Sequence, residues 1–174
     1  LPNENHYKVY QVLNPVSAYY PLTLTDQFGT NTVTNVFLDK FANPAAKRHA
    51  DGTISPIIDP DAHQTWWKIL SPQPSRTVIA TDQFGTRQWV LGDANYLLLP
   101  ALKNVATGHP PVRNHYLCYE CPGPTQGIPV LLTDQFGECH VVVLYGKFCC
   151  NPVEKRSGGA IYPIVDFYAH LTCY

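Results

Sequence analysis

The sequence has no methionine and few charged residues, with Asp, Glu, Lys and Arg making up 14% of 174 residues. An ordinary soluble domain has roughly 25%. The net charge of −1 gives no reason to expect a nucleic-acid or membrane-surface partner. No apolar run reaches about 18 residues, so no membrane span is predicted. The missing methionine and the lack of a signal peptide at Leu1 predict a processed or partial product.

The sequence also lacks the common signatures of catalysis. There is no Ser/His/Asp constellation in a recognisable context and no glycine-rich loop of the kind that holds phosphate. There is no Asn-x-Ser/Thr site for glycosylation. We therefore expect a protein that is not an enzyme and needs no cofactor.

What the sequence does contain is Thr-Asp-Gln-Phe-Gly, three times, at Thr25–Gly29, Thr81–Gly85 and Thr133–Gly137. Runs rich in β-branched and aromatic residues flank each copy, as is typical of strands. Asp in the first turn position accepts hydrogen bonds from turn amides, and Gly in the fourth tolerates positive φ. The pattern predicts three β-hairpins. Their turn-forming residues are Asp26, Gly29, Asp82, Gly85, Asp134 and Gly137. Catalytic carboxylates are a less favoured interpretation, because the aspartates already have a structural role.

The repeat extends beyond the turns, with a His-centred strand before each turn and a Pro 18 residues after each turn Asp. The period is 52 to 57 residues, which predicts an all-β protein of three tandem hairpin-based units with little helix. The predicted units are 1–61, 62–113 and 114–174, the last with a surplus terminal strand. The units either close around a pseudo-threefold axis or form a row of beads, each with its own core. The variable linkers favour the row.

The surplus strand means that the chain begins and ends with the same kind of strand. An unpaired edge is a template for another chain, and a head-to-tail contact that does not close forms a filament. The alternative is a terminal cap within one molecule. The candidate assembly residues are His6, Tyr7 and Tyr10 in the first strand and His170, Leu171 and Tyr174 in the last.

These motifs resemble a family of bacterial secreted tandem-repeat proteins whose function is uncharacterised. The resemblance is strongest in the third unit, at 114–119, 133–137, 150–155 and 169–174. It covers essentially the whole chain, implies an extracellular β-repeat protein, and brings no catalytic residue with it.

All six cysteines lie in the last third of the chain, at Cys118, Cys121, Cys139, Cys149, Cys150 and Cys173. Disulfides are favoured, with Cys121 and Cys139 able to meet across the third hairpin and Cys173 able to staple the last strand. The alternatives are a zinc site at Cys118-x-x-Cys121, completed by Cys139, His140, Cys149 or Cys150, and a redox role for the same motif. No metal is expected.

Aromatic residues follow the repeated histidines, and the histidines themselves are interpreted as packing residues. The low charge, the aromatic content and the surplus strand favour a non-enzymatic extracellular or cell-surface structural protein. Its expected partner is another copy of itself, joined head to tail through terminal strands. The alternative is a carbohydrate-binding module that stacks glycans on those aromatic residues.

Overall fold

A computed structural model describes residues 4–104 and 107–174 and contains strands but no helix in that part of the chain. The protein is all-β, as predicted. The fourteen strands are β1 (His6–Gln11), β2 (Ser17–Asp26), β3 (Gly29–His49), β4 (Ile54–Ser55), β5 (His63–Ser71), β6 (Arg76–Asp82), β7 (Gly85–Leu91), β8 (Ala94–Ala101), β9 (His115–Glu120), β10 (Thr125–Asp134), β11 (Gly137–Tyr145), β12 (Phe148–Ser157), β13 (Ala160–Tyr162) and β14 (Leu171–Cys173). The described residues thus include no helix with the length and hydropathy to cross a bilayer.

Each Thr-Asp-Gln-Phe-Gly copy forms the turn of an antiparallel hairpin. We name these turn hairpin 1 (β2 and the start of β3), turn hairpin 2 (β6 and β7) and turn hairpin 3 (β10 and β11). In each, a carboxylate oxygen of the Asp accepts a hydrogen bond from the Phe amide two residues later, at 2.8 to 3.0 Å. The turn glycines all have positive φ, from 114° to 133°. Such φ values strain residues with a Cβ, which explains the glycine.

The strand before each hairpin pairs with the strand after it. We call these the first strand (β1, β5 or β9) and the last strand (the second half of β3, β8 or β12). The strand β14, which follows the fourth repeated His, is also called a first strand. The three ladders share one register, since His6 is opposite Ala45, His63 opposite Ala101 and His115 opposite Val153. Sequence repeat and backbone repeat therefore coincide.

Neighbouring units share strands in one sheet. The last strand of each unit also pairs with the next first strand, giving the pairs β3–β5, β8–β9 and β12–β14. The prediction of beads with separate cores is therefore wrong. In separate units, the outer edge of each last strand would have unpaired backbone amides and carbonyls. Pairing with the next first strand satisfies both edges of the last strand.

Pairing between hairpins and last strands also departs from a threefold arrangement. The β2 strand pairs with the end of β12, so that Leu24 is opposite Lys155. The β10 strand pairs with the end of β3, so that Leu132 is opposite Lys47. Threefold symmetry would instead pair β10 with the last strand of unit 2. The pairings β3–β2–β12–β9–β8–β5–β3 form a closed circuit.

Two hydrophobic clusters cover the two faces of this circuit. The outer cluster lies between the sheet and turn hairpins 1 and 2, and includes Leu24, Trp89, Leu97, Leu117 and Val153. The inner cluster takes residues from five strands of the circuit. Its members are Ala42, Trp66, Tyr96, Leu98, Tyr116, Cys118, Phe148 and Cys150. Because both clusters draw on several units, the units depend on one another for burial.

Candidate functional site

The turn aspartates form hydrogen bonds to tyrosines of distant units. The Tyr119 hydroxyl donates to Asp26 at 2.8 Å, and the Tyr10 hydroxyl donates to Asp134 at 2.7 Å. The Tyr174 hydroxyl donates in the same way to Asp82. Each of these tyrosines lies four residues after the repeated His. The turn motif therefore also docks its hairpin onto a first strand.

The Phe of each turn completes this docking contact. Its ring lies edge-on to the same tyrosine, with ring centres 5.0 to 5.4 Å apart in the pairs Phe28–Tyr119, Phe84–Tyr174 and Phe136–Tyr10. Such an aromatic pair contributes about 0.5 to 1.5 kcal/mol beyond area burial. We call each set of Asp, Phe and Tyr a turn lock.

The surroundings of the turn locks shift the pKa values of their tyrosines and aspartates. Burial, and then the negative charge of Asp26 and the hydrogen bond to it, raises the pKa of Tyr119 well above its usual value. At Asp134 burial raises the pKa, but hydrogen bonds from Tyr10, the Phe136 amide and Asn43 outweigh it and leave the pKa lowered. These carboxylates thus accept hydrogen bonds from structural groups, which is what the turn interpretation requires.

The repeated histidines lie apart, one on each first strand or directly before it. Burial lowers the pKa of all four, to about 4 for His6 and for His115. They are therefore neutral at pH 7. His170 Nδ1 lies 3.2 Å from the Asn151 side-chain oxygen. In the described parts of the chain, no three His, Cys, Asp or Glu side chains are placed to share a metal ion.

Four cysteines form two disulfides: Cys118–Cys150 joins β9 to β12, and Cys121–Cys149 joins the residue after β9 to β12. The predicted meeting of Cys121 with Cys139 is wrong, because β12 pairs with β9 and brings Cys149 within disulfide reach of Cys121. With Cys118 and Cys121 in different disulfides, neither is available as a zinc thiolate or as a paired redox motif. Closing loops of this size stabilises by about 3 to 4 kcal/mol on the loop-entropy model.

Cys139 and Cys173 are outside these disulfides. The Cys173 sulfur lies 3.8 Å from the Cys150 sulfur, and burial raises the pKa of Cys173 to about 12. The strand β14 is thus adjacent to the Cys118–Cys150 disulfide but has no covalent link to it. The prediction that Cys173 staples this strand is therefore wrong.

The two predicted assembly strands each have an unpaired edge. Within residues 4–104 and 107–174, β1 pairs with β3 alone and β14 pairs with β12 alone. Val9 in β1 is 40% exposed, whereas its repeat counterparts Trp66 and Cys118 are 4% and 0% exposed. The free edges of β1 and β14 are therefore the candidate functional site.

A groove of about 940 Å³ lies beside β14, between turn hairpin 1 and the linker that precedes β14. Polar side chains of Asp26, Asn151 and His170 line it, together with the exposed rings of Phe167 and Tyr168. The repeated aromatic residues do not line this groove, and of them Trp66, Tyr116 and Tyr119 are buried. Sequence reasoning missed the turn locks, although the constant spacing from His to Tyr was a visible signal.

Comparison with known proteins gives one match. A family model described as a repeat of unknown function, DUF7450, matches residues 63–174. No curated protein and no solved structure matches the chain. The family match spans the second and third predicted units, which contain β5, β9, both disulfides and the turn lock of Asp82, Phe84 and Tyr174. The chain belongs to the DUF7450 repeat family.

Proposed function

We propose that the protein is a non-enzymatic, extracellular structural module of a bacterial secreted assembly, joined head to tail through β1 and β14. The observation that carries the proposal is the free outer edge on each of these strands. Unpaired edges are normally protected by charge, proline or a covering loop. In β14 the sequence Leu-Thr-Cys carries no charge and no proline, which favours pairing with another chain.

Chemical differences between the two ends support a head-to-tail polarity. Two disulfides brace the β9–β12 pair against which β14 packs. Near β1 the equivalent positions of the Cys118–Cys150 disulfide are Val9 and Ala42, which are opposite each other without a covalent link. The disulfides are also compatible with an oxidising, extracellular location.

Trp66, Tyr116 and Tyr119 are buried and the other repeated aromatic residues are half-buried, which weakens the carbohydrate alternative in the form that the sequence suggested. A different observation supports a carbohydrate-binding role, namely the groove with Phe167 and Tyr168. Its two exposed rings lie near polar groups that hydrogen-bond to hydroxyls. Binding to a glycan array, lost in Tyr168→Ala, is the corresponding test.

Negative-stain electron microscopy at neutral pH tests the assembly. The full chain is expected to form regular fibres, and a version lacking residues 169–174 is expected to give single particles. Because that deletion also removes buried contacts, a second variant is needed. Val9→Lys adds a charge on the inward face of β1, beside its free edge, and Leu13→Lys is its control at a site 87% exposed. Monodisperse particles for the full chain, or fibres for Val9→Lys, would refute the proposal.

A further inference from the structure

The turn locks follow a rule that three units cannot complete. Turn hairpin 1 docks on β9, the first strand of unit 3, through Asp26 and Tyr119. Turn hairpin 2 docks on β14, the strand after unit 3, through Asp82 and Tyr174. Each hairpin thus reaches the first strand two units ahead. Turn hairpin 3 docks on β1, the first strand of unit 1, through Tyr10. Counting two units ahead from unit 3 reaches unit 1 only if the ring has four units, because the count passes through unit 4.

The strand ladders obey the same rule. Turn hairpin 1 pairs with the last strand of unit 3, and turn hairpin 3 pairs with the last strand of unit 1. Turn hairpin 2 would therefore pair with the last strand of a fourth unit. In the described residues, β6 and β7 pair only with each other. Within residues 4–104 and 107–174, β14 corresponds to the first strand of a fourth unit, and none of the described strands takes the place of that unit's hairpin or last strand.

By the same rule, the last strand of a fourth unit would lie between the free edges of β14 and β1, and we call this place the gap. Tyr7 of β1 and Leu171 and Cys173 of β14 all pack against the inner cluster. The inward-facing positions beside this gap are exposed or half-buried, as at Val9, Leu171 and Cys173, whereas their counterparts Tyr116 and Cys118 are buried. A strand placed in the gap would therefore lie beside two free strand edges and contact apolar side chains of the inner cluster.

Asp82 has fewer hydrogen-bond donors among the described residues than the other two turn aspartates. Asp26 and Asp134 each accept a hydrogen bond from an Asn of a last strand, Asn151 and Asn43, at 3.2 Å. Asp82 accepts from the Phe84 amide and the Tyr174 hydroxyl, and no described Asn donates to it. It is also half-buried, whereas the other two aspartates are buried.

By the two-unit rule a fourth hairpin would dock on β5, where Trp67 occupies the position that Tyr has in the three turn locks. A cavity of about 340 Å³ lies at this position. Trp67, Leu97, Leu99 and Lys155 line it, together with residues of turn hairpin 1. The Trp67 indole N–H donates to Thr65 at 3.0 Å, so no turn Asp is needed to satisfy it.

We propose that this gap and cavity together form a docking site for the turn hairpin and last strand of a DUF7450 repeat unit carried by another polypeptide chain. This inference rests on the proposed function, because it uses the same free edges of β1 and β14, but it assigns both edges of one molecule to a single occupant. The occupant would place a last strand between β14 and β1 and a Thr-Asp-Gln-Phe-Gly turn beside Trp67. Backbone pairing provides affinity in such strand additions, and alternate side chains provide specificity.

The repeat fixes the register of the occupant. In unit 3, Cys118 of the first strand is opposite Cys150 of the last strand. Since Cys173 is the β14 counterpart of Cys118, it would be opposite the residue of the occupant that corresponds to Cys150. A shift of one residue would place that side chain on the other face of the sheet.

A synthetic peptide with the sequence of residues 125–157, in which Ser replaces Cys139 and Cys149, tests the register. Its remaining Cys150 is activated as a mixed disulfide with an aromatic thiol. The Cys173 thiolate attacks the peptide sulfur, the new S–S bond forms, the aromatic thiolate leaves, and the Cys173 proton passes to the buffer. Since burial raises the pKa of Cys173, the reaction is run near pH 9. The control peptide carries Cys150→Ser and Asn151→Cys.

The expected result is a 1:1 adduct at Cys173 that forms about tenfold faster, or more, with the Cys150 peptide than with the control, because the control sulfur faces away. Equal rates, or no adduct and no binding by calorimetry, would overturn the proposal. A second protein carries a copy of residues 120–157 fused after Tyr174. If the fused copy raises the melting temperature but the peptide does not bind, the site is filled within one chain, and docking of another chain is wrong. If the peptide binds but the full chain forms no fibres by electron microscopy, the filament proposal is rejected and the docking site stands.

Discussion

The turn lock at Asp26 allows a quantitative test of how the hairpins are held. Tyr119 is 1% exposed and donates a 2.8 Å hydrogen bond to the Asp26 carboxylate. Tyr119→Phe removes only the hydroxyl and keeps the ring against Phe28. A hydrogen bond to a charged group contributes about 1.5 to 3 kcal/mol. We therefore expect the free energy of unfolding to fall by about that amount.

Calorimetry with the disulfides intact measures the effect. For a chain of this size, about 2 to 4 °C of melting temperature corresponds to 1 kcal/mol, so the expected decrease is roughly 3 to 12 °C. The matched control is Tyr145→Phe, at a side chain that is 50% exposed, where a change within about 0.5 kcal/mol is expected. A Tyr119→Phe protein as stable as its control would refute the turn lock.

Two further predictions concern buried groups. Burial lowers the pKa of His115 to about 4, so between about pH 6.5 and 4 the unfolded chain binds more protons. Stability should fall as pH falls through that window, and His115→Gln should flatten the dependence by up to about 3 kcal/mol in urea titrations; an unchanged slope would contradict this. A Cβ at Gly123 would overlap the buried Trp89 ring. Gly123→Ala should therefore destabilise by about 1 to 3 kcal/mol, whereas Gly92→Ala, with ordinary contacts, should not; equal effects would contradict this packing.

The local structure could be predicted from sequence because its causes are local. Asp and Gly at fixed positions of the Thr-Asp-Gln-Phe-Gly copies determine the turns, and strand-forming flanks make the hairpins. The constant spacing to Pro44, Pro100 and Pro152 gave the repeat that the three ladders reproduce in one register. The boundaries at 61 and 113 remain predictions.

The arrangement of the units could not be predicted in the same way. Whether Cys121 meets Cys139 or Cys149 depends on which strands are neighbours, and that is decided by pairing between residues far apart in the chain. The Tyr119–Asp26 contact joins residues 93 positions apart. Linker length favoured separate beads, but satisfying both edges of each last strand favours a shared sheet.

Amide hydrogen exchange with mass spectrometry most directly tests the central claim, that β1 and β14 each have an unpaired edge. The strands β5 and β9 are paired on both edges, whereas their repeat counterparts β1 and β14 are paired on one edge. In dilute protein with the disulfides intact, we predict markedly faster exchange in 6–11 and 171–173 than in 63–71 and 115–120. Equal protection of all four segments would contradict the free edges and the proposals that depend on them.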